Sequence, residues 1–409
     1  KMKIDLFNGE EQCCACGACY NICPQNAIEM VEKENGFIYP NVKENKCINC
    51  GLCKKACLYT NKEVRFYNDN KKVWIAVNQE QKTLKKSSSG GAFAVFAKKI
   101  INEGGVVYGS ALIRNSNNID VKHIRIDKNE DICLLQGSKY VQSRIEQNFK
   151  LVKKDLLEGR KVLFSGTPCQ IAGLNGFLLG KKFDNLITID IVCHGVPSLK
   201  MFQDFIAGLE KRYNASIINF SFRDKEKGWG LNAKILYEKN GKECNKIIDS
   251  ALLPYYKLFL DSDIYRKNCY SCPYACKNRP ADITLGDFWG IEKEHPECLA
   301  QNGGDIDTKK GVSCIISNSS KGNELVENCK ENFLLRESTF EKAANGNAQL
   351  RGPSRYRKER EEYISEYEKN GYQAVEKLYK KNQGFKYYIK LLWGHTPRKI
   401  KRLINKARK

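Results

Sequence analysis

The sequence of 409 residues contains no apolar run of about 20 residues, the length that crosses a bilayer, and so predicts no transmembrane helix. Its first cysteine motif follows closely on its first residues, which leaves no room for a secretory signal and favours a cytoplasmic protein. The sequence also lacks the G-x-G-x-x-G fingerprint, which disfavours a standard Rossmann dinucleotide site. What it has in excess is cysteine, with 19 residues.

The composition is that of a soluble globular protein, with 28% charged and 42% hydrophobic residues. A chain of this length can form two or three domains, each with its own core. Many cysteines in a chain expected to lie in the reducing cytoplasm favour metal binding over disulfides. The formal net charge of +22 then overstates the charge of the folded protein, because metal-bound cysteines are deprotonated.

Two early segments repeat one cysteine spacing, C-x2-C-x2-C-x3-C, from Cys13 to Cys23 and from Cys47 to Cys57. Bacterial ferredoxins use this spacing for [4Fe–4S] clusters. Three cysteines two residues apart surround one corner of a cluster, and the fourth reaches the other cluster. The predicted ligand sets are Cys13, Cys16, Cys19 and Cys57 for one cluster, and Cys47, Cys50, Cys53 and Cys23 for the other.

A zinc site or a disulfide framework is the alternative for these motifs. Zinc sites seldom use two interlocked runs of four cysteines, which favours the clusters. Leu58 stands where a proline commonly follows the fourth cysteine, and the extra Cys14 is interpreted as a bystander thiol. We therefore predict a ferredoxin-like domain over residues 1–62.

The strand predicted over residues 73–77 is followed by a loop of small residues that leads into a helix. The segment before that helix reads Ser87, Ser88, Ser89, Gly90 and Gly91. Free N–H groups at a helix start attract anions, and glycine lets the backbone approach them, so this loop is a candidate phosphate cradle. An ordinary helix cap with a tight turn is the alternative, since serine is a routine cap.

Strand–turn–helix units continue the chain. A strand over residues 161–164 leads into Ser165, Gly166 and Thr167, and a strand over residues 186–192 ends at Cys193 and His194. Such units predict an α/β core with ligand groups at the C-terminal ends of the strands. Shorter alternating runs over residues 216–248 predict antiparallel strands.

Six segments of this region read SSSGGAF, GSKYVQS, SGTPCQIAGL, DIVCHGVPS, FRDKEKGWG and CYSCPYACKNRPADITLGDFWG. In sequence and in order they resemble the coenzyme F420 hydrogenase/dehydrogenase beta-subunit family. The resemblance covers residues 73–335 and implies an FAD iron–sulfur protein. Versions with a ferredoxin-like head also occur in bacterial surface-polysaccharide gene clusters, which implies that setting here.

The implied fold class is α+β / α/β, with an N-terminal bacterial ferredoxin-like domain fused to a mixed α/β flavin-binding catalytic domain and a helical C-terminal tail. We predict residues 70–150 to carry the FAD-binding loop and residues 151–335 to carry a third cluster and the flavin site. Residues 336–409 are predicted to form the basic helical tail, in which residues 351–409 contain 18 basic and 6 acidic side chains.

The resemblance also implies roles for single residues. Those implied to bind FAD are Ser87, Ser88, Ser89, Gly90, Gly91, Gly137, Ser138, Lys139, Tyr140, Ser165, Gly166, Thr167 and Trp229. Those implied in catalysis are Lys139, His194 and Arg223. His194 is a candidate proton donor, since histidine titrates near neutral pH, and a hydrogen-bonded structural histidine is the alternative.

A third [4Fe–4S] site is implied for Cys169, Cys193, Cys269 and Cys272, with Cys276 as an alternative ligand. Cys169 and Cys193 each follow a strand, and Cys269 and Cys272 form a C-x2-C pair that can hold one side of a metal centre. Scattered buried thiols or a zinc site are the alternatives.

These observations predict an oxidoreductase that passes electrons from ferredoxin or a similar donor through [4Fe–4S] clusters to FAD, and on to a small organic substrate. One alternative is a deazaflavin-dependent (coenzyme F420) oxidoreductase that runs the chain in reverse. Another is a non-catalytic electron-relay subunit of a larger complex. Rapid FAD reduction by reduced deazaflavin in a stopped-flow test would support the first alternative. Turnover of an acceptor by the isolated chain would contradict the second.

The last 26 residues, 384–409, carry nine basic and no acidic side chains. A helix starting near Thr396 and Pro397 would place Ile400, Leu403 and Ile404 on one face. Such a helix is suited to binding the inner membrane surface, with Tyr387, Tyr388 and Trp393 as anchors. It is also suited to binding an acidic ferredoxin. A helix folded onto the core is the alternative, and nucleic acid is not expected as a partner.

Overall fold

The computed structural model of the chain describes residues 6–61, 71–115 and 118–384. The predicted amphipathic helix of the tail lies outside the described residues. In the described part of the chain no helix has the length and apolar character needed to cross a membrane.

The strands and helices alternate along most of the chain. The strands are β1 (Ile28–Glu32), β2 (Ile38–Val42), β3 (Lys72–Asn78), β4 (Val106–Arg114), β5 (Ile119–Ile126), β6 (Val162–Gly166), β7 (Leu186–Ile191), β8 (Ser216–Ser221), β9 (Asn232–Lys239), β10 (Lys242–Asp249), β11 (Ile283–Asp287), β12 (Ser313–Ser317) and β13 (Phe333–Ser338). The helices are α1 (Ala18–Ile22), α2 (Leu52–Ala56), α3 (Gln81–Lys86), α4 (Ala92–Asn102), α5 (Ile132–Leu135), α6 (Asn148–Leu157), α7 (Pro168–Phe177), α8 (Leu199–Tyr213), α9 (Pro254–Leu260), α10 (Ile291–Glu294), α11 (Ser320–Asn328), α12 (Phe340–Gly346), α13 (Glu359–Asn370) and α14 (Tyr372–Gln383).

The N-terminal part is a small ferredoxin-like unit in which β1 and β2 pair antiparallel. Its two short helices, α1 and α2, follow Gly17 and Gly51, which both have a left-handed backbone with φ of 80° and 72°. Glycine adopts this conformation without the Cβ clash of other residues, so the chain can turn sharply inside each cysteine motif. The fourth cysteine of each motif, Cys23 or Cys57, then ends the helix.

An eight-stranded mixed sheet with the order β13-β3-β12-β11-β7-β6-β4-β5 forms the centre of the molecule. The pairs β4–β6, β6–β7 and β7–β11 are parallel, and the other pairs are antiparallel. On β4, Val107 faces α4 while its neighbours Val106 and Tyr108 face α6 and α7. Strand side chains alternate between faces, so helices cover both sides of the sheet.

The second sheet contains β8, β9 and β10 in the antiparallel order β10-β9-β8. It packs with α8, α9, α13 and α14 around an aromatic core. In this core the ring of Phe205 lies 5.0 Å from that of Tyr255 and 5.7 Å from that of Tyr372. The first part of the predicted helical tail is therefore helical and packs onto the core.

These elements confirm the predicted fold class, a ferredoxin-like head followed by a mixed α/β domain and C-terminal helices. The strands predicted over residues 73–77, 161–164 and 186–192 correspond to β3, β6 and β7, and the antiparallel strands predicted over residues 216–248 correspond to β8–β10. Strands from the predicted regions 70–150 and 151–335 share the central sheet, since β3 pairs with β12 and β4 pairs with β6.

Candidate functional site

Two small cavities in the head are lined by the two predicted cysteine sets. Site A is the group Cys13, Cys16, Cys19 and Cys57, which lines one cavity together with Cys14. Site B is the group Cys23, Cys47, Cys50 and Cys53, which lines the other cavity. Each set joins three cysteines of one motif with the last cysteine of the other, as the ferredoxin spacing predicts.

A third group, site C, contains Cys169, Cys193, Cys269 and Cys272. Burial raises the pKa of Cys193, and the neighbouring Cys269, Cys169 and Cys272 raise it further. Burial and neighbouring thiols of this group also raise the pKa of Cys269 to about 12 and that of Cys272 to about 11. Thiolates gathered in this way need a compensating positive charge, which a metal centre supplies.

Cys276, the alternative ligand, bonds within its own loop. Its thiol donates to the carbonyl of Asn278 at 3.1 Å and to that of Pro273 at 3.5 Å. The structure therefore groups Cys272 with Cys169, Cys193 and Cys269 and gives Cys276 other contacts.

The spacing of the sulfurs distinguishes a cluster from a single ion. In a tetrahedral zinc site the Zn–S distance of roughly 2.3 Å places the sulfurs about 3.8 Å apart. Within the described residues, the only His, Cys, Asp or Glu group with three ligand atoms within 4.8 Å of one another is His295, Glu297 and Cys298. Sites A, B and C therefore lack the three closely spaced sulfur atoms of a tetrahedral zinc site.

Two buried arginines accompany the cysteines, and sequence reasoning missed both. Arg266 donates from Nε to the carbonyl of Cys13 at 2.8 Å, and its charge lowers the pKa of Cys13 against the larger effect of burial. Arg279 lies beside site C, where its charge likewise favours the thiolate of Cys272. Each arginine provides a fixed positive charge next to a group that becomes anionic when it binds metal.

The head is closely packed against α7, the helix that begins next to Cys169. Gly173 and Gly176 lie on the α7 face that meets the head, and a Cβ at Gly173 would come within 2.7 Å of the Cβ of Cys16. A Cβ at Gly176 would come within 2.2 Å of the carbonyl oxygen of Ala56. The two glycines allow this close approach, which brings site A next to site C.

A large cavity of about 420 Å³ opens at the C-terminal ends of β6, β7 and β11. This volume lies within the range of small-molecule and cofactor sites, and the position is the expected one for an α/β sheet. Most of the candidate flavin and catalytic residues line it: Ser87, Ser88, Ser89, Gly91, Gly137, Ser138, Lys139, Tyr140, Ser165, Gly166, Thr167, His194 and Arg223. Cys193 of site C also lines it, so the cavity and the third cysteine group share a wall.

The serine loop differs from a simple anion cradle, because its hydroxyl groups already have protein partners. Ser87 donates to the carbonyl of Thr83 at 2.9 Å, and Ser89 donates to that of Val312 at 2.7 Å. Ser88 accepts from the backbone N–H of Ser138 at 2.7 Å. A ligand at this loop would therefore meet mainly its backbone.

Gly90 and Gly91 are explained by different features of the structure. A Cβ at Gly90 would come within 2.2 Å of the carbonyl oxygen of Ala76, so the glycine lets the loop pack on β3. Gly91 precedes α4 with a left-handed φ of 81° and lines the cavity, whereas Gly90 does not. A bulky replacement at Gly90 would disturb the sheet and could not test ligand binding alone.

Lys139 lies between the cavity and the end of α5. Its ammonium group donates to the carbonyls of Leu135 at 3.0 Å and Gln136 at 2.9 Å, at a helix end where carbonyls lack helix partners. Burial lowers the pKa of Lys139 to about 7. A lysine with this pKa changes charge close to neutral pH, which suits either proton transfer or reversible contact with an anion.

Arg223 is fixed by a buried ion pair on the cavity wall. Its guanidinium donates to both carboxylate oxygens of Asp287, at 2.9 and 3.1 Å, and to the hydroxyl of Tyr140 at 3.2 Å. The guanidinium carbon also lies 5.1 Å from the ring centre of Trp289. This arrangement holds the guanidinium–carboxylate pair rigidly on the wall of the cavity.

Trp289 lines the cavity, whereas Trp229 does not. Trp229 stacks on Trp289 with ring centres 4.6 Å apart and donates from Nε1 to Asp287 at 2.9 Å. The structure therefore makes Trp229 a support for Trp289 and for Asp287. Asp287 was not singled out from the sequence, although it lies in the segment that carries the resemblance.

His194 lines the cavity as a solvent-accessible residue. Desolvation by the surrounding protein lowers its pKa, and the charge of Asp287 opposes this effect. The imidazole is therefore favoured in its neutral form at neutral pH, and it would have to gain a proton before it could donate one.

Two further polar residues of the cavity, His123 and Ser110, lie in no motif that would identify them from the sequence. His123 contacts the carbonyl of Ser165 through Nε2 at 2.9 Å and the hydroxyl of Ser143 through Nδ1 at 2.8 Å, and burial lowers its pKa to about 4. Ser110 on β4 lines the cavity with a buried hydroxyl that has no hydrogen-bond partner. Buried hydroxyl groups are normally satisfied, so Ser110 indicates that a polar ligand belongs in this cavity.

Two family profiles match the chain. Residues 12–61 match the 4Fe-4S dicluster domain, and residues 159–343 match the C-terminal part of the coenzyme F420 hydrogenase/dehydrogenase beta-subunit family. The chain therefore resembles this beta-subunit family over residues 159–343 and carries a 4Fe-4S dicluster domain over residues 12–61. These matches confirm the predicted resemblance to an oxidoreductase and electron-transfer family.

Relatives of the head alone come from Methanocaldococcus jannaschii. One uncharacterized ferredoxin is 34% identical over 56 residues, which is 14% of this chain and 71% of the ferredoxin. Another is 46% identical over 46 residues, 11% of this chain and 25% of the relative. A chain in the F420-reducing [NiFe] hydrogenase complex from Methanosarcina barkeri aligns with a TM-score of 0.42 and 16% identity, covering 77% of this chain and 92% of that one.

Proposed function

We propose that the protein is an FAD- and iron–sulfur-dependent oxidoreductase that takes single electrons from ferredoxin or a similar donor. The electrons would pass through [4Fe–4S] clusters and FAD to a small organic substrate. The observation that carries this proposal is the position of Cys193, which belongs to site C and also lines the large cavity. A metal centre in site C would therefore border the space where a flavin and substrate can bind.

The residues of the cavity fit a flavin. Its volume of about 420 Å³ suits a cofactor, and the unpartnered hydroxyl of Ser110 calls for a polar ligand. Lys139 provides positive charge for an anionic pyrophosphate, and the backbone of the serine loop provides further polar contacts. Bound FAD would supply hydride transfer coupled to single-electron uptake.

Site B offers the entry point for a protein donor. Cys50 is exposed, and beside it Ile48 is 60% exposed. Exposed basic side chains also flank the motif, namely Lys46, Lys54 and Lys55. An apolar side chain with lysines around it suits an acidic electron-transfer protein, because opposite charges steer the encounter.

The substrate binds, in this proposal, on the side of the cavity near His194 and Trp289. His194 can accept or deliver a proton there after a change of its protonation state, and Arg223 stays charged because Asp287 holds it. The role in surface-polysaccharide metabolism stays a prediction of the family resemblance.

Filling the cavity at Ser110 tests the flavin site. Ser110→Phe places an aromatic ring in the cavity, so we expect at least about a tenfold loss of bound FAD, the effect of a contact worth about 1.4 kcal/mol. The visible absorbance of the head clusters should not change. Flavin content and iron content of the anaerobically purified protein measure the two effects, and Ser320→Phe on the exposed start of α11 is the control. Full FAD occupancy in Ser110→Phe would place the flavin elsewhere.

The pH dependence of FAD binding tests Lys139. Because its pKa is lowered to about 7, Lys139 is charged below that pH and becomes neutral as the pH rises through it. If its charge supports an anionic cofactor, the contribution of Lys139 to FAD affinity should fade between about pH 6 and pH 8.5. Titrating apoprotein with FAD by flavin fluorescence measures the affinity. Lys139→Met should bind weakly at every pH and Lys139→Arg should lose the pH dependence, whereas an unchanged profile in Lys139→Met would remove Lys139 from the binding site.

A further inference from the structure

A group of side chains that can bind metal lies apart from the cysteine sites, just after α10. Site D is the group His295, Glu297 and Cys298. Within the described residues it is the only group of His, Cys, Asp or Glu side chains that brings three ligand atoms within 4.8 Å of one another. None of its members lines the large cavity, so the group is separate from the candidate flavin site.

A single tight turn brings these side chains together. His295 precedes the 3-10 turn Pro296–Cys298, and the backbone N–H of Cys298 donates to the carbonyl of His295 at 3.1 Å. Side chains three residues apart eclipse one another in such a turn, so His295 and Cys298 lie on the same side of it. The carbonyl of Cys298 accepts from the N–H of Ile306 at 3.0 Å, which holds the turn against the next segment.

The separations of the ligand atoms suit a single tetrahedral ion. Nδ1 of His295 lies 3.0 Å from Oε1 of Glu297, and Sγ of Cys298 lies 3.9 Å from the same oxygen. With zinc bonds of roughly 2.1 Å to nitrogen and oxygen and 2.3 Å to sulfur, a tetrahedron places N and O about 3.4 Å apart and S and O about 3.6 Å apart. Small rotations of the side chains are enough to reach these separations.

Ser338, the last residue of β13, positions the histidine. Its hydroxyl lies 2.8 Å from Nε2 of His295, whereas Nδ1 faces Glu297. A serine hydroxyl can accept as well as donate, so it can receive the Nε2–H and leave Nδ1 to bind a metal. Histidine ligands usually donate their second ring N–H in this way. The side chain of His295 is 7% exposed and that of Glu297 is 67% exposed, so a fixed ligand faces an opening to solvent.

We propose that site D binds one zinc ion through Nδ1 of His295, a carboxylate oxygen of Glu297 and Sγ of Cys298, with water as the fourth ligand. Zinc accepts nitrogen, oxygen and sulfur ligands together, and three protein ligands leave one position open. Cys298 releases its proton to water when it binds, so the thiolate and the carboxylate together balance the charge of the ion.

Zinc at this position would hold the segment that follows the cavity wall. The ring of His295 packs edge-on against that of Phe288, with ring centres 5.7 Å apart. Phe288 is fully buried, and its neighbours in the chain, Asp287 and Trp289, line the large cavity. Together with the contact from His295 to Ser338, the ion would fix this wall against β13.

Zinc binding to the anaerobically purified holoprotein tests the proposal. The protein is equilibrated with zinc chloride, freed of excess zinc and analysed for zinc and iron by elemental mass spectrometry. X-ray absorption at the zinc edge then identifies the ligands without interference from iron. The variants are Cys298→Ala, Glu297→Gln and Ser338→Ala, and the control is Cys133→Ala, which removes an exposed thiol elsewhere in the protein.

We expect about one zinc per chain, with one sulfur at roughly 2.3 Å and nitrogen or oxygen ligands at roughly 2.0–2.2 Å. Cys298→Ala should lose the sulfur signal. Ser338→Ala should weaken zinc binding about 10–100-fold, and Glu297→Gln should weaken it at least as much because it removes a ligand. Cys133→Ala should match the wild type.

A wild-type holoprotein that retains no zinc would overturn the proposal. Zinc with four sulfur ligands would also overturn it, because the ion would then occupy the cysteines of another site. An unchanged sulfur signal in Cys298→Ala would place the ion elsewhere. If Cys298→Ala loses iron and does not fold properly, Glu297→Gln still decides, since its side chain is mostly exposed, and unchanged zinc affinity in that variant would contradict the assignment.

Discussion

Replacing Cys193 by alanine is expected to remove the metal centre of site C and to abolish electron transfer from ferredoxin to the flavin. Cys193 belongs to site C and forms part of the cavity wall, so its loss breaks the link between the head and the cavity. Iron should fall from about twelve to about eight atoms per chain, because one four-iron cluster is lost. Sites A and B should keep their spectra, and turnover should drop to the background level.

Cys276→Ala is the matched control for this prediction. Cys276 belongs to the same loop as Cys272 but donates to the backbone carbonyl of Asn278. Its replacement should leave about twelve iron atoms and nearly full turnover. If Cys276→Ala loses iron while Cys193→Ala retains it, the assignment of ligands to site C is wrong.

Breaking the ion pair between Arg223 and Asp287 should give a large loss of stability. The two side chains are 2% and 15% exposed, so Arg223→Met leaves the carboxylate of Asp287 without its charged partner. Removing one partner of a buried pair costs about 3–5 kcal/mol. We expect a matching decrease in the free energy of unfolding and loss of bound FAD, because Tyr140 and Trp289 on the cavity wall lose a contact as well.

Arg336→Met provides the comparison, since Arg336 pairs with Asp305 at 2.6 Å on the surface, where the side chains are 47% and 41% exposed. Surface pairs contribute at most about 1 kcal/mol, so this variant should unfold almost like the wild type. Chemical denaturation of the two variants compares their losses of stability, and flavin content is measured on the same samples. Equal stability losses would show that the buried pair does not hold the cavity wall together.

The head was predictable from the sequence because its ligands follow a local spacing. Three cysteines of each motif lie two residues apart, and each fourth cysteine ends a short helix, so the sets of sites A and B follow from the chain itself. The strands of the central sheet were also visible as apolar runs between turns. Cys169, Cys193 and Cys269 are far apart in the chain, and only the family resemblance joined them.

The remaining site residues depend on contacts between distant segments. Arg223 and Asp287 are 64 positions apart, and the hydroxyl of Ser89 finds its partner 223 positions away, at Val312. No periodic pattern in the sequence predicts such pairs.

Reduction of the holoprotein by reduced ferredoxin in an anaerobic stopped-flow instrument tests the proposed electron path most directly. We predict that the iron–sulfur absorbance bleaches first and that the flavin absorbance follows, with no flavin reduction in Cys193→Ala. The same protein mixed with reduced deazaflavin should react slowly. Rapid flavin reduction by deazaflavin, or flavin reduction by ferredoxin that persists in Cys193→Ala, would contradict the proposed path.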